Sequence, residues 1–257
     1  MKNISKISAL HVSNLTISYN NTIVVSDLSV TIPCGVMCGI IGPNGAGKTT
    51  FIKALLGLLP MSAGSIHILG DDIKNIRNKV AYVAQRSSVD WDFPLTVFDM
   101  VLMGCYGRLG WFRRPNATHY QQVYDALAAV GLLDFAHQSI GVLSGGQQQR
   151  AFLARALMQQ AEIYFLDEPF AGVDITTEKI IIDLFKQLRD EGKTIIVVHH
   201  DLFTSATYFD YIMLLNKTCI ASGAVDDVLT ASNLSSTYGT NFIPYIWNVA
   251  QKKCDQL

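Results

Sequence analysis

The chain has 257 residues, of which 49% are hydrophobic and 16% charged, with a formal net charge of −1; that is the scale of one large domain, or of a core with a small appendage, around a substantial apolar interior. Near-neutrality excludes attraction of the molecule as a whole to nucleic acid or to an anionic membrane surface, so either role would need a local patch. No run reaches the roughly 18 apolar residues that cross a bilayer, and residues 1–8 lack the apolar centre of a signal peptide, so a cytoplasmic location is expected.

An apolar share this high hints at surface covered by a partner. The five cysteines, Cys34, Cys38, Cys105, Cys219 and Cys254, are odd in number and form no C-x-x-C pair. That suits a reducing compartment better than a disulfide framework; Cys34 and Cys38 could in principle share a metal, but they flank the strand before the glycine-rich turn with no histidine near in sequence, and buried, inert thiols are the expectation there.

Residues 10–32 alternate apolar and polar, with a break at Asn20-Asn21, and read as a hairpin with further strands. The apolar run 36–41 then leads into Gly42-Pro43-Asn44-Gly45-Ala46-Gly47-Lys48-Thr49, followed by a helical run over 50–59. Strand, glycine-rich turn and helix in this order make a phosphate-binding loop. Its glycines let backbone N–H groups converge on phosphate oxygens, Lys48 can reach the β and γ phosphates, the Thr49 hydroxyl can ligate Mg²⁺, and Thr50 opens the helix beside them. The chain is therefore expected to bind a nucleoside triphosphate.

Further strands are expected at 65–69 and 80–83, the latter ending at Gln85. Between about 86 and 160 the period changes: Tyr120, Val123, Tyr124, Leu127 and Val130 recur at helical spacing until Gly131, which suggests a helical insertion. Residues 163–166 and 194–198 read as buried parallel strands, separated by a helix that carries Ile180, Ile181, Leu184 and Leu188 and ends at Gly192. A hairpin at Asn216-Lys217 and a short helix near 226–229 complete the pattern.

Two segments add chemistry to the loop. Asp167-Glu168 closes an apolar strand, where ligands of open α/β sheets collect. Since successive strand side chains point opposite ways, Asp167 can hold Mg²⁺ while Glu168 orients and deprotonates an attacking water; a solvated strand end is the plainer alternative. Leu143-Ser144-Gly145-Gly146-Gln147 precedes a helix, whose N-terminus can receive a second anion. An ordinary serine cap is the competing explanation. The first site already has its own loop and lysine, so Ser144 to Gln147 could close over a nucleotide held by another copy.

The phosphate loop, Gln85, residues 143–147, Asp167-Glu168 and His200 fall in the order of the ATP-binding-cassette (ABC) ATPase subunits, which the chain resembles from about Leu10 to Gly239. The resemblance implies an α/β fold, with a RecA-like P-loop NTPase core, an N-terminal antiparallel β subdomain and an inserted helical subdomain. It sets the ATPase domain at 8–240, with core segments 8–85 and 161–240, the helical section at 86–160 and a tail at 241–257. It also implies that Tyr19 stacks on adenine, Gln85 reaches Mg²⁺ and senses the helical section, Asp174 lies at a dimer seam, and His200 contacts the γ phosphate. Adjacent residues on a strand point apart, so His199 and His200 are not expected to share a metal; His200 precedes Asp201-Leu202 as the family's histidine does, and the resemblance leaves His199 a structural role.

The implied ligands are ATP and Mg²⁺. The implied partners are a second copy, arranged head to tail around two ATP molecules, separate membrane permease subunits and, indirectly, a substrate-binding protein; nucleic acid is not among them. Peripheral attachment at the cytoplasmic face of the membrane follows. Residues 86–94, 170–174 and 199–202 look like the corresponding segments of bacterial importers for manganese, zinc or iron. Trp91 and Phe93 either receive a helix of the membrane partner or pack within the helical section. The alternatives are an ABC ATPase for another cargo, or a soluble ABC protein acting on nucleic acid.

Overall fold

The computed structural model describes residues 8–19, 22–85, 91, 93–110 and 113–239. The expected turn at Asn20-Asn21, the segment 86–90, Cys254 and the tail 241–257 lie outside the described residues. Contacts divide the chain into two compact units. The first takes residues up to Pro33, Cys38–Ile73 and residues from Val198 onward; the second takes Cys34–Met37 and Lys74–Val197.

In the first unit, β1 (Ser8–Tyr19) and β2 (Thr22–Pro33) form a long antiparallel pair. The large buried residues are Leu10, Val12, Leu15 and Ile17 on β1, against Val25, Leu28, Val30 and Ile32 on β2. The β1 series skips one step at the register shift between Val12 and Leu15, where Asn14 is left-handed (φ 49°), and the β2 series skips one at the next shift, between Leu15 and Ile17, where Asp27 is (φ 45°). The Asn14 Nδ2 donates to Asp27 Oδ1 at 2.8 Å between the two bulges, and the extra residue on each strand is offset by the other, so the apolar face is kept.

Next come β3 (Met37–Ile41), all of it buried, then α1 (Lys48–Leu55), and β4 (Ala63–Ile68), which pairs antiparallel with β1 from Leu10↔Ile68. Helix α1 begins two residues earlier than its apolar pattern suggests and stops at Leu55, short of the expected 59. Phe51, Ile52, Ala54 and Leu55 are buried, while Leu58 is exposed.

In the second unit, the short α2 (Ile73–Ile76) is followed by β5 (Val80–Val83), α3 (Val97–Leu102), α4 (Tyr106–Leu109), α5 (Ala117–Ala129) and α6 (Gly145–Met158). Thr96 caps α3 in a reciprocal box with Asp99, and Asn116 caps α5 with His119. Helices α3, α5 and α6 pack together through Val97, Val101, Val123, Leu127, Ala151 and Ala154. Phe98 adds ring contacts to Tyr124 at 5.2 Å and Tyr120 at 5.9 Å. Burying each large side chain in such a cluster stabilises the fold by about 1.5–3 kcal/mol. The expected helix through Tyr120, Val123 and Leu127 is α5, ending before Gly131.

After α6 the unit continues with β6 (Ile163–Asp167), α7 (Ile175–Asp190) and β7 (Thr194–His199). Strands β5 and β6 pair in parallel, from Val80↔Ile163 to Val83↔Leu166. Every residue of β6 and β7 is buried, the signature of strands covered on both faces. Helix α7 buries Ile181, Ile182, Leu184, Phe185 and Leu188, leaving Ile180 partly exposed, and stops before Gly192.

The chain returns to the first unit through α8 (Leu202–Tyr208), β8 (Tyr211–Asn216), β9 (Thr218–Ala224), α9 (Val225–Val228) and α10 (Ala231–Tyr238). Strand β8 pairs in parallel with β3 and antiparallel with β9, the hairpin turning at Lys217 with φ 62°.

Cys34 departs from the expectation of buried cysteines: it is exposed, in the turn before β3. Cys38 and Cys105 are buried, and Cys219 is intermediate. Burial pushes the Cys38 thiol well above its usual range, leaving it unreactive.

Candidate functional site

The phosphate loop leaves β3 at Gly42 and enters α1 at Lys48. Its shape is held from both sides: Ala46 N–H donates to Pro43 O at 3.2 Å, and the turn residue Lys217 donates its N–H to Ala46 O at 2.9 Å while accepting from Ser26 N–H at 2.8 Å. Two glycines are obligatory. A Cβ on Gly42 would sit 1.9 Å from the Leu215 carbonyl oxygen, and Gly47 adopts φ 98° with Val25 Cγ2 3.0 Å from the place of its missing Cβ. Gly47 is the N-cap of α1, which has no side-chain cap and no acidic residue in its first turn. That leaves backbone donors and the positive end of the helix for an anion.

Lys48 is buried, and its Nζ donates to the carbonyls of Gly42 at 2.7 Å and Pro43 at 2.9 Å. An ammonium held at this point of the loop can meet a phosphate through charge-assisted hydrogen bonds. Asn44 and Gly45 are exposed, Ala46 is buried, and Pro43, Thr49 and Thr50 are partly exposed along the loop and helix start. Tyr19 ends β1 and is 43% exposed, so its ring is not consumed by packing.

His199 and His200 divide as expected. His199 is buried against Tyr208 and Phe209, its Nε2 2.7 Å from the Thr204 hydroxyl. Burial first, and the neighbouring His200 second, lower its pKa to about 4, against an opposing pull from Asp201. His200 follows the strand and is exposed.

In the second unit, the parallel register of β5 and β6 brings Gln85 to the end of β6. There Gln85 Nε2 donates to Glu168 Oε2 at 2.8 Å. Asp167 is the last strand residue, 1% exposed, and its carboxylate helps burial to push the Tyr82 phenol up to about 12. Glu168 lies outside the strand with φ 52°. The alternation argument for the carboxylate pair therefore fails in its reason: a left-handed residue redirects Glu168. That conformation is unfavourable for a residue with a Cβ by roughly 1 kcal/mol or more, a cost met at functional turns.

Ser144 is exposed and caps α6 in a reciprocal box: its hydroxyl accepts from Gln147 N–H at 3.4 Å and its own N–H donates to Gln147 Oε1 at 2.8 Å. The amides of Gly145 and Gly146, in the first turn, have no carbonyl to meet within the helix. The cap therefore leaves room for an anion at this helix start. Asp174 caps α7, accepting from the Thr177 hydroxyl at 2.6 Å. The position of a Cβ on Gly146 lies 3.3 Å from Thr177 Oγ1 and 3.7 Å from Asp174 Oδ1, so the starts of α6 and α7 are neighbours.

Two features escaped the sequence reading. Asn14 and Asp27 mark consecutive bulges on β1 and β2, and Lys217 braces the phosphate loop; only the asparagine and aspartate hinted at left-handed backbone. Among the described residues no three His, Cys, Asp or Glu side chains gather as a metal site. Magnesium keeps several waters and takes one or two protein ligands beside phosphates, so a buried carboxylate such as Asp167 suits it.

Residues 25–171 match the family model described as ABC transporter. The chain is 52% identical over 230 residues to the manganese transport system ATP-binding protein MntB of Bacillus subtilis, covering 90% of this chain and 92% of the relative. It is also 52% identical over 231 residues to the zinc transport system ATP-binding protein TroB of Treponema pallidum, covering 90% and 87%. A solved inward-facing, metal-chelate-type ABC transporter superposes with a TM-score of 0.79 at 27% identity, covering 90% of this chain and 89% of that one. By sequence and by its P-loop NTPase α/β fold, the chain belongs to the ABC transporter family, as one of its ATP-binding, ATP-hydrolysing subunits.

Proposed function

We propose that the chain is the ATPase subunit of a membrane importer for a divalent metal such as manganese, zinc or iron. The observation that carries this reading is the equal, 52% identity to a manganese and a zinc transport subunit over nine-tenths of the chain. No helix of the described residues is long and apolar enough to cross a membrane. Transport then requires separate permease subunits, with this chain bound peripherally at their cytoplasmic face and a substrate-binding protein delivering the cargo.

In this reading Gly42 to Thr50 and Tyr19 hold ATP, Lys48 supplies the charge for the β and γ phosphates, and Thr49, Gln85 and Asp167 are the protein side of the Mg²⁺ site. Mg²⁺, when bound, neutralises the charge of the phosphates. Glu168 orients the water and takes its proton, and His200 contacts the γ phosphate. Residues 8–85 and 161–240 form the nucleotide core and 86–160 the helical section.

A second copy completes the site with Ser144, Gly145, Gly146, Gln147 and Asp174. Two observations support such a seam. The starts of α6 and α7 adjoin, and the apolar residues beside them are open to solvent: Val142 is 70% and Ile175 86% exposed. ATP must favour the closed pair over the open one by its differential affinity, and this is what couples binding to movement. For the permease, the two candidate aromatics part company. Trp91 packs edge-on against Phe152 at 5.1 Å, whereas Phe93 is 56% exposed and remains for a partner.

Affinity purification of the tagged chain from membranes, followed by identification of the co-purifying subunits and assay of manganese and zinc uptake, tests the reading. A multi-span permease and metal uptake lost with Glu168→Gln are expected. Co-purification with nucleic acid alone, or uptake of a non-metal cargo, would overturn it.

A further inference from the structure

A second pocket, lined by none of the residues assigned to nucleotide, lies in the second unit between the end of α4 and the start of α5. It has a volume of about 460 Å³ and is walled by Arg108, Leu109, Arg113, Arg114, Asn116 and His119. Three guanidinium groups and an imidazole meet there without a carboxylate, in a chain whose formal net charge is only −1. This is the kind of local patch that overall charge conceals.

The charges are not spent on other side chains. Among the described residues, none of the three arginines makes an ion pair. Arg108 is held in place by neutral acceptors, donating from Nη2 to Met158 O at 2.8 Å and from Nη1 to Gln160 Oε1, so it is positioned but not neutralised. A smaller adjoining cavity of about 90 Å³ shares Arg108 and adds Arg77. Helix α5, with 13 residues, has no acidic residue in its first turn, and His119 and Asn116 cap it.

Uncompensated guanidiniums facing one concavity repel one another, and an anion with several oxygens relieves that repulsion. The planar forks of arginine match phosphate geometry in pairs. A pocket this small suits a single phosphate group rather than an extended polyanion.

We propose that the α4–α5 pocket binds a phosphate group, free or on a lipid headgroup, through Arg108, Arg113 and Arg114. The test uses the purified full chain, its nucleotide site filled with MgADP, in wild-type form and as the Arg113→Ala/Arg114→Ala double variant. Both positions are exposed, so the fold should be retained, and unchanged ATP hydrolysis checks this. Inorganic phosphate is titrated calorimetrically, and sedimentation is measured with vesicles of equimolar phosphatidylglycerol and phosphatidylcholine and with phosphatidylcholine alone.

Binding of phosphate, or of the anionic vesicles only, that weakens on the order of tenfold or more in the double variant supports the site, the responding arm identifying the source. Two outcomes would overturn it: a wild-type chain that binds neither probe, or a double variant that binds like wild type. Failure of the nucleotide reading would appear separately, as no binding of MgADP.

Discussion

Gln85 Nε2 donates a hydrogen bond to Glu168 Oε2 at 2.8 Å, linking the residue that opens the helical section to the carboxylate proposed as the base. The bond exists because β5 and β6 are parallel neighbours in register, and because left-handed backbone at Glu168 turns its side chain out of the strand path. A shift of the helical section acting through Gln85 would move the carboxylate with it.

Glu168→Gln is expected to preserve this geometry, since an amide oxygen still accepts from Gln85, while removing the base. ATP binding should persist and hydrolysis should fall by roughly 10² or more, with accumulation of an ATP-bound dimer. Steady-state turnover and size measurement in MgATP check it; wild-type turnover would remove Glu168 from the chemistry.

Lys48→Ala removes the buried charge of the phosphate loop. The buried Gly42 carbonyl and the partly exposed Pro43 carbonyl lose a donor, so stability should fall by about 1–3 kcal/mol while ATP affinity drops by at least about tenfold. Equilibrium binding of a fluorescent nucleotide decides, and unchanged affinity would contradict the assignment.

Ser144 carries two roles that substitutions can separate. Ser144→Ala deletes the cap and should cost about 1 kcal/mol of stability with modest loss of turnover. Ser144→Asp keeps a good cap but sets a carboxylate against phosphate, so stability should hold while hydrolysis collapses and nucleotide binding to the isolated subunit remains normal. Ser144→Arg should likewise damage turnover and spare monomer binding. Impaired nucleotide binding by monomeric Ser144→Asp would defeat the shared-site arrangement.

His199 predicts a pH dependence of stability. Its pKa falls from 6.5 to about 4 on folding, so the unfolded chain binds the proton more readily. Its contribution is therefore complete above about pH 6.5 and is lost as the pH falls towards 4, on the order of 3 kcal/mol in all. Urea denaturation midpoints between these limits should decline less in His199→Gln than in the wild type. Parallel declines would show that other groups dominate.

Sequence alone determined the phosphate loop, the α5 helix, the Lys217 hairpin and the family, because each rests on local chemistry: glycines where backbone must approach an anion, apolar residues at helical or strand spacing, motifs in fixed order. It also set His200 apart from His199, because His200 stands before Asp201-Leu202 as the histidine of the family's motif does. What it could not reach depends on contacts between residues far apart in the chain. Only the tertiary structure decided that Asn14 and Asp27 bond between neighbouring bulges, that Lys217 braces the phosphate loop, that Cys34 is exposed, and that Trp91 packs on Phe152 while Phe93 stays open. The arginine pocket is of the same kind. Arg108 closes it only after Met158 and Gln160, some fifty positions later, fix its guanidinium, and no window of sequence contains both partners.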